Sequence, residues 1–265
     1  MNIVFDIGGT NTRVGGVHNE LLTHVKMFPT AETPDEGFAK VVAVAREILD
    51  GAAPSGVCGC VSGTIVEGVV MGANSLVLWN GFPIVEKFSR EFGVAATIYN
   101  DAVLVGIGEQ KYGAGRGFRD LLYVTVSTGV GKAHIVDGQP KDDEPLAAAA
   151  LLANLLYVDS VVSGTAVARQ YNIHPKQLSD ISIRNSLAEQ LGRGLVPFVQ
   201  STQPEVLILG GSMMVGENPI PIEKVSEVLL PLLAEQGFSK KLVIKKAELG
   251  SVGGLWGGIA YLRHI

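Results

Sequence analysis

Two short strings in this chain carry the residue types that hold phosphate groups. The first is Asp6-Ile7-Gly8-Gly9-Thr10-Asn11-Thr12 and the second is Ser127-Thr128-Gly129-Val130-Gly131. Glycine lets backbone approach a ligand closely, and successive N–H groups in a turn form a concavity that suits anions. Thr10, Asn11 and Thr12 add hydroxyl and amide donors. Asp6, at the end of an apolar run, could hold a magnesium ion directly or through water. A plain tight turn would use the same letters as either string alone. Their recurrence in the two halves of the chain favours a pair of tips that face each other across a cleft and clamp a polyphosphate. Gly129-Val130-Gly131-Lys132 resembles the end of a P-loop, but the upstream glycine spacing is absent, so a Walker A reading is rejected.

Two further strings belong beside the tips. Asn100-Asp101 follows a short apolar run and precedes a helical one. An aspartate at a helix start feels the positive end of the helix dipole and is expected to stay ionised at pH 7. Phosphoryl transfer needs positioning more than a strong base, so Asp101 is the candidate acceptor of a hydroxyl proton; a plain helix cap is the alternative. Val206-Leu207-Ile208-Leu209 runs into Gly210-Gly211-Ser212. Two glycines after a buried strand would let an adenine ring lie flat on the backbone, although ordinary loop punctuation reads the same way.

The elements that must position these residues alternate. Ile3–Phe5 and Arg13–Val17 read as strands joined by the first tip, and 122–126 with 133–136 as strands joined by the second. Helical periodicity marks 35–49, 84–92, 102–112, 160–171, 183–200 and 222–236, the last expected to kink at Pro231. Further strands fall at 56–61, 95–99, 206–209 and 242–246, and a glycine-rich helix follows Ser251. Strands and helices in alternation, with a hairpin opening each half, predict an α/β class with mixed sheets and a duplicated domain. The stretch Gly113-Ala114-Gly115-Arg116-Gly117 reads as a hinge, giving domains 1–117 and 118–265.

Composition sets the outer bounds. The 265 residues carry 47% hydrophobic and 18% charged side chains, enough for buried cores and unlike a disordered chain. A net charge of −5 argues against a nucleic-acid surface. Lys240, Lys241, Lys245 and Lys246 form the densest basic cluster and read as a solvated strand edge. No signal peptide and no membrane span are expected. Cys58 and Cys60, the only cysteines, read as buried and reduced, consistent with a cytoplasmic protein.

In order along nearly the whole chain, these strings resemble the ROK group of bacterial sugar kinases and repressors, within the actin-like, ribonuclease H-like superfamily. The resemblance runs through Asp6–Asn11, Gly56–Gly63, Asn74 with Trp79, Asn100-Asp101-Ala102 with Glu109, and Tyr112-Gly113. It continues through Thr128–Gly131, Ser163-Gly164, Leu209-Gly210-Gly211 and Gly254–Gly258. It implies two actin-like domains around an interdomain cleft, with ATP and Mg2+ as cofactors. On this reading Asp6, Gly8, Gly9, Thr10, Asn11, Thr12, Thr128, Gly129 and Gly131 face the phosphates, and Gly210, Gly211 and Ser212 face adenosine. Asp101 is the base, and Asn74, Asn100 and Asp101 touch the sugar.

The family's Glu-x-Gly-His segment and zinc-binding cysteines are missing from the stretch 140–145 and the alanine-leucine run after it, so no zinc site is expected. Asp159, four residues before Ser163-Gly164, matches a family glutamate and is the candidate replacement in the sugar wall; capping of a helix starting near Ser160 is its alternative. Repressor members begin with a helix-turn-helix, whereas this chain opens in a strand. The expected activity is therefore phosphorylation of a hexose or N-acetylhexosamine. A sugar or nucleotide sensor, or an ATP-hydrolysing regulator, is the alternative. The expected partner is a small-molecule sugar, and a homodimer is compatible with this reading.

Overall fold

The computed structural model of the chain describes residues 1–143 and 145–263. It divides into two units, Met1–Tyr112 with Ser251–Ile265, and Gly113–Gly250. Glu144, within the stretch where the family motifs are missing, lies outside the described residues.

In the first unit, β1 (Asn2–Ile7), β2 (Asn11–His18) and β3 (Leu21–Pro29) form an antiparallel meander. Helix α1 (Pro34–Leu49) follows, with Pro34 in its first turn, Asp35 and Glu36 at its positive end and Arg46 at its negative end. Then come β4 (Val57–Val61), the small hairpin β5 (Thr64–Val66) and β6 (Val69–Met71), and helix α2 (Ile84–Phe92). Strand β7 (Ala96–Asn100) runs straight into helix α3 (Asp101–Tyr112). The sheet order is β3-β2-β1-β4-β7, with β1, β4 and β7 parallel.

The second unit repeats this plan. β8 (Asp120–Val126), β9 (Val130–Val136) and β10 (Gln139–Lys141) form its meander. Helices α4 (Pro145–Val162), α5 (Gly164–Tyr171) and α6 (Ile181–Thr202) follow. Strand β11 (Val206–Gly210), the short helix α7 (Ser212–Val215), helix α8 (Ile222–Glu235), which continues through Pro231, and β12 (Val243–Lys246) complete it. The order β10-β9-β8-β11-β12 matches the first sheet strand for strand, with β8, β11 and β12 parallel. The mixed α/β class and the duplicated hairpin are therefore present in both units. The lysine cluster lies on and before β12, an edge strand, as read from the sequence.

The last helix, α9 (Gly253–Leu262), belongs to the first unit, not to the second half in which the sequence placed it. Its Leu255 and Ile259 pack with Val4 of β1 and Val17 of β2. Glycines make that approach possible: a Cβ on Gly257 would land on the carbonyl of Leu104 in α3, and one on Gly258 would meet Val4 at 2.8 Å. Each unit buries its own core. In the first, Phe5, Trp79 and Phe88 are its largest fully buried rings; in the second, Phe198 plays that part. No single described helix is long and apolar enough to cross a membrane. The bent pair 147–162 and 164–171 passes that test only jointly, across a 46° bend.

Candidate active site

In the first unit, three chain segments meet at the carboxyl ends of β1, β4 and β7, the edge where open α/β sheets hold their ligands. β1 ends in the first tip, Gly8-Gly9-Thr10, and β4 ends before Ser62-Gly63. β7 ends at Asn100, immediately before Asp101. Asn100 is the joint of this edge. Its Nδ2 donates to the Gly63 carbonyl at 2.9 Å, and its Oδ1 accepts the Ala102 N–H at 2.9 Å, so it caps α3 while tying β7 to the loop after β4. The Asp101 carboxylate accepts the same Ala102 N–H at 2.9 Å.

The charge on Asp101 departs from the sequence expectation. Burial, and next the nearby Asp6 carboxylate, push its pKa up to about 7, against the opposing pull of the Ala102, Asp101 and Asn100 hydrogen bonds. Near neutrality the carboxylate is therefore shared between its two protonation states, not held ionised by the helix dipole. Desolvation of a charge outweighs the dipole and local N–H groups here.

Asp6 sits in register between Arg13 on β2 and Cys60 on β4. Its oxygens meet the Arg13 guanidinium at 3.7 Å and the Cys60 thiol at 3.4 Å. Burial raises the Asp6 pKa despite both partners, and it raises the Cys60 thiol well above its ordinary value, so Cys60 acts as an S–H donor. The first turn of α9 closes on this pair: a Cβ on Gly254 would stand 2.9 Å from the Cys60 sulfur and 3.1 Å from Asp6 Cγ. Both cysteines are free and buried, as expected. Among the described residues no three His, Cys, Asp or Glu side chains group as a metal site.

The first tip exposes Gly9 and Thr10, with Gly8 and Asn11 partly buried. Thr12 is not among its surface groups. Its side chain is 2% exposed and its hydroxyl is bonded to that of Thr30 at 2.9 Å, so its place in the site is inside the turn. Gly9 is required for a reason unseen in the sequence, since a Cβ there would meet Ser75 at 2.7 Å. Asn74, next to Ser75, is exposed.

In the second unit, the corresponding edge carries Ser127-Thr128-Gly129 and Gly210-Gly211-Ser212, joined by the Ser127 and Ser212 hydroxyls at 3.1 Å. The open face expected over the two glycines is turned toward β8. A Cβ on Gly210 would strike the Tyr123 ring, and one on Gly211, at φ +87°, would strike the Val126 carbonyl. Glycine here serves strand packing and a left-handed turn, and Ser212 is the exposed member of the three.

The capping alternative for Asp159 does not hold. Helix α4 runs through it to Val162, and Ser163 caps α5 by accepting the Ala166 N–H at 3.1 Å. The Asp159 carboxylate accepts the Val130 N–H at 2.7 Å, at the foot of the second tip. Gly131 pairs with Thr125 one step further along the hairpin, partly buried. Arg13, Cys60, Thr30 and Thr165 were missed by sequence reasoning. Arg13 was legible, because hairpin register alone sets it opposite Asp6.

The comparisons with known proteins agree with this architecture. A glucokinase of Streptomyces coelicolor is 33% identical over 145 residues, covering 51% of this chain and 44% of that protein. A glucokinase of Thermotoga maritima is 24% identical, covering 85% and 87%. The ROK family glucokinase of Streptomyces griseus, solved in complex with glucose and AMPPNP, superimposes with a TM-score of 0.80 at 20% identity, over 100% of this chain and 99% of that one. The two thus share the actin-like ATPase fold. The sequence profile described as the ROK family matches residues 2–142, more than half of the chain, and the chain belongs to that family.

Proposed function

We propose that this chain is an ATP-dependent sugar kinase in which Asp101 takes the proton from the attacking sugar hydroxyl. The observation that carries the reading is Asp101 itself. Its carboxylate lies at the carboxyl edge of the parallel strands β1, β4 and β7, fixed by the start of α3, with its pKa raised to about 7. A base works best with a pKa near the operating pH. The sugar oxygen forms a bond to the γ-phosphorus, the bond from that phosphorus to the β-bridging oxygen breaks, ADP leaves, and the proton passes to Asp101. Asn74 and Asn100 are assigned to the sugar, the first exposed and the second already holding Asp101 in place.

The residues at Asp6 suit magnesium. Among the described residues the carboxylate has a thiol at 3.4 Å and a guanidinium at 3.7 Å for side-chain partners, and a magnesium ion takes one or two carboxylates with phosphate oxygens and water. Bound there, the ion would offset the negative charge that builds on the phosphates. Gly8, Gly9, Thr10 and Asn11 in one unit, and Thr128, Gly129 and Gly131 in the other, are assigned to the phosphates, and Gly210, Gly211 and Ser212 to adenosine. Asp159 enters this reading through the second tip. The names of the glucokinase relatives support a hexose as the acceptor.

An assay of ADP release over a panel of hexoses and N-acetylhexosamines, with and without magnesium, tests the reading. Release that depends on both sugar and magnesium is expected. Release without sugar points to an ATP-hydrolysing regulator, and tight sugar binding without turnover points to a sensor.

A further inference from the structure

Each tip is held by a threonine that offers both its hydroxyl and its N–H to tip carbonyls. In the first unit, Thr30 lies just after β3. Its hydroxyl donates to the Gly8 carbonyl at 2.7 Å and its N–H donates to the Thr10 carbonyl at 3.0 Å. In the second unit, Thr165 lies in the first turn of α5. Its hydroxyl donates to the Thr128 carbonyl at 2.8 Å and its N–H donates to the same oxygen at 3.2 Å. Gly164 adds its N–H to the Ser127 carbonyl at 2.7 Å. The two threonines come from different elements, one a strand end and one a helix start, so the likeness does not follow from a shared local structure.

The consequence for the tips is a sorting of donors from acceptors. A turn that binds an anion must point its N–H groups outward and keep its carbonyls away, because a carbonyl oxygen repels a phosphate oxygen. The carbonyls of Gly8, Thr10, Ser127 and Thr128 are all engaged from within their own unit. The N–H groups of Gly9, Thr10, Thr128 and Gly129 take no partner among the described residues. In the second unit the Asp159 carboxylate takes up one tip donor, the Val130 N–H at 2.7 Å, and so fixes the foot of the turn without adding a free donor. Its helix is fixed in rotation there, since Val158 packs where Gly194 of α6 has no side chain and Asn154 donates to the Gly194 carbonyl at 2.7 Å. The Lys132 ammonium bonds both oxygens of Asp143 at 2.6 Å, tying the chain just ahead of α4 to β9.

We propose that Thr30 and Thr165 are positioning residues that orient the two tips for phosphate, with Asp159 assisting Thr165. This rests on the phosphate reading of the tips and deepens it. The hydroxyls act on the ligand only through the backbone they hold, so their loss weakens nucleotide binding and leaves the sugar untouched.

The test uses the full chain and its variants Thr30→Val, Thr165→Val, Thr165→Ser and Asp159→Ala. Affinity for magnesium AMP-PNP is read by calorimetry, and KM for ATP and for sugar by turnover. Valine keeps the shape and the N–H and removes only the hydroxyl. Each valine variant is expected to bind AMP-PNP roughly three- to tenfold more weakly, the loss of one hydrogen bond, with KM for ATP rising and KM for sugar within about twofold of the parent. Serine at 165 restores binding to within about twofold. Asp159→Ala follows the valine pattern, whereas a rise in sugar KM alone would return it to the sugar wall and remove it from the proposal. Valine variants that bind nucleotide like the parent, or a serine variant that fails like valine, overturn the proposal while the kinase reading stands. A parent that binds no nucleotide overturns both.

Discussion

At Asp101, burial and the neighbouring Asp6 work against charge, while the Ala102, Asp101 and Asn100 groups work for it, and the first two prevail. The balance gives two linked expectations. As the proton acceptor, Asp101 must be ionised, so kcat/KM should fall below a pH of about 7 and level off above it, which a pH profile on a good sugar substrate checks. Asp101→Asn keeps the shape and the helix-start acceptor but cannot take a proton, so turnover should drop by about 10²–10⁴-fold. Stability moves the other way. The folded pKa lies above the unfolded one, so the protonated form is favoured by folding, and the stability linked to this group is full below pH 3.8 and is lost as pH rises through about 7. Above pH 7 the parent carries a charge that the fold resists, and Asp101→Asn removes it. That variant should melt higher than the parent at pH 8, by an amount worth at most about 4 kcal/mol, and close to it at pH 4. Equal melting at pH 8 combined with full turnover would reduce Asp101 to a helix cap. Sequence reasoning found this residue from its place between strand and helix. It set the charge wrongly because desolvation and Asp6 are tertiary facts, whereas the dipole is local.

Elements that repeat a local pattern were legible, and those defined by their neighbours were not. The amphipathic helices α1 and α8 and the buried strands β4 and β11 lie close to their expected bounds, because apolar periodicity marks them. Strand β3 was missed: it is an edge strand, exposed along most of its length, with no alternating buried face. Helix α4 was split wrongly because its mean hydropathy is nearly uniform, which hides both its face and its end; Ser163, the real boundary, is an α5 cap buried among other residues. Glycines were found, but not the neighbours that constrain them. At Gly9, Gly210 and Gly254 a Cβ would meet Ser75, Tyr123 and Cys60, contacts that no local pattern announces. The α3–α9 contact is the sharpest case. Gly257→Ala drives a methyl into the Leu104 carbonyl, which is backbone and cannot turn aside. Overpacking of this kind should cost on the order of 3 kcal/mol, a melting temperature lower by roughly 6–12 °C, whereas Gly72→Ala, with open space but φ +59°, should cost only about 1 kcal/mol. Thermal melts of the pair check this.

For the molecule as a whole, the repeated sheet order was foreshadowed by the two hairpins, but the path of the chain between the units was not. The sequence shows a hinge-like stretch at 113–117 and gives no sign that the chain returns to its first unit after Gly250, because a glycine-rich apolar helix fits either core equally well on periodicity. What decides the matter is complementarity. Gly253, Gly254, Gly257 and Gly258 are buried, and what the last three admit is Asp6, Cys60, Leu104 and Val4, all of the first unit. Tyr112 and Trp256 add a ring contact with centroids 5.0 Å apart. Removal of residues 251–265 therefore separates the two divisions experimentally. Leu255 and Ile259 are 0% and 1% exposed, and without them Val4, Val17 and the apolar face of α3 meet water. Burying a pair of such side chains stabilises by roughly 3–6 kcal/mol, comparable to half the stability of an ordinary domain. Amide hydrogen exchange read by mass spectrometry on the truncated chain should show protection lost across β1, β2, β4 and α3. Peptides from β8, β9, β11 and α6 should stay protected, since their core draws nothing from α9. Protection lost instead from 118–250, with the first unit intact, would restore the boundary that the sequence suggested. The same truncation strips the cover from Asp6 and Cys60, so it should also abolish magnesium-dependent turnover even in preparations whose second unit remains folded.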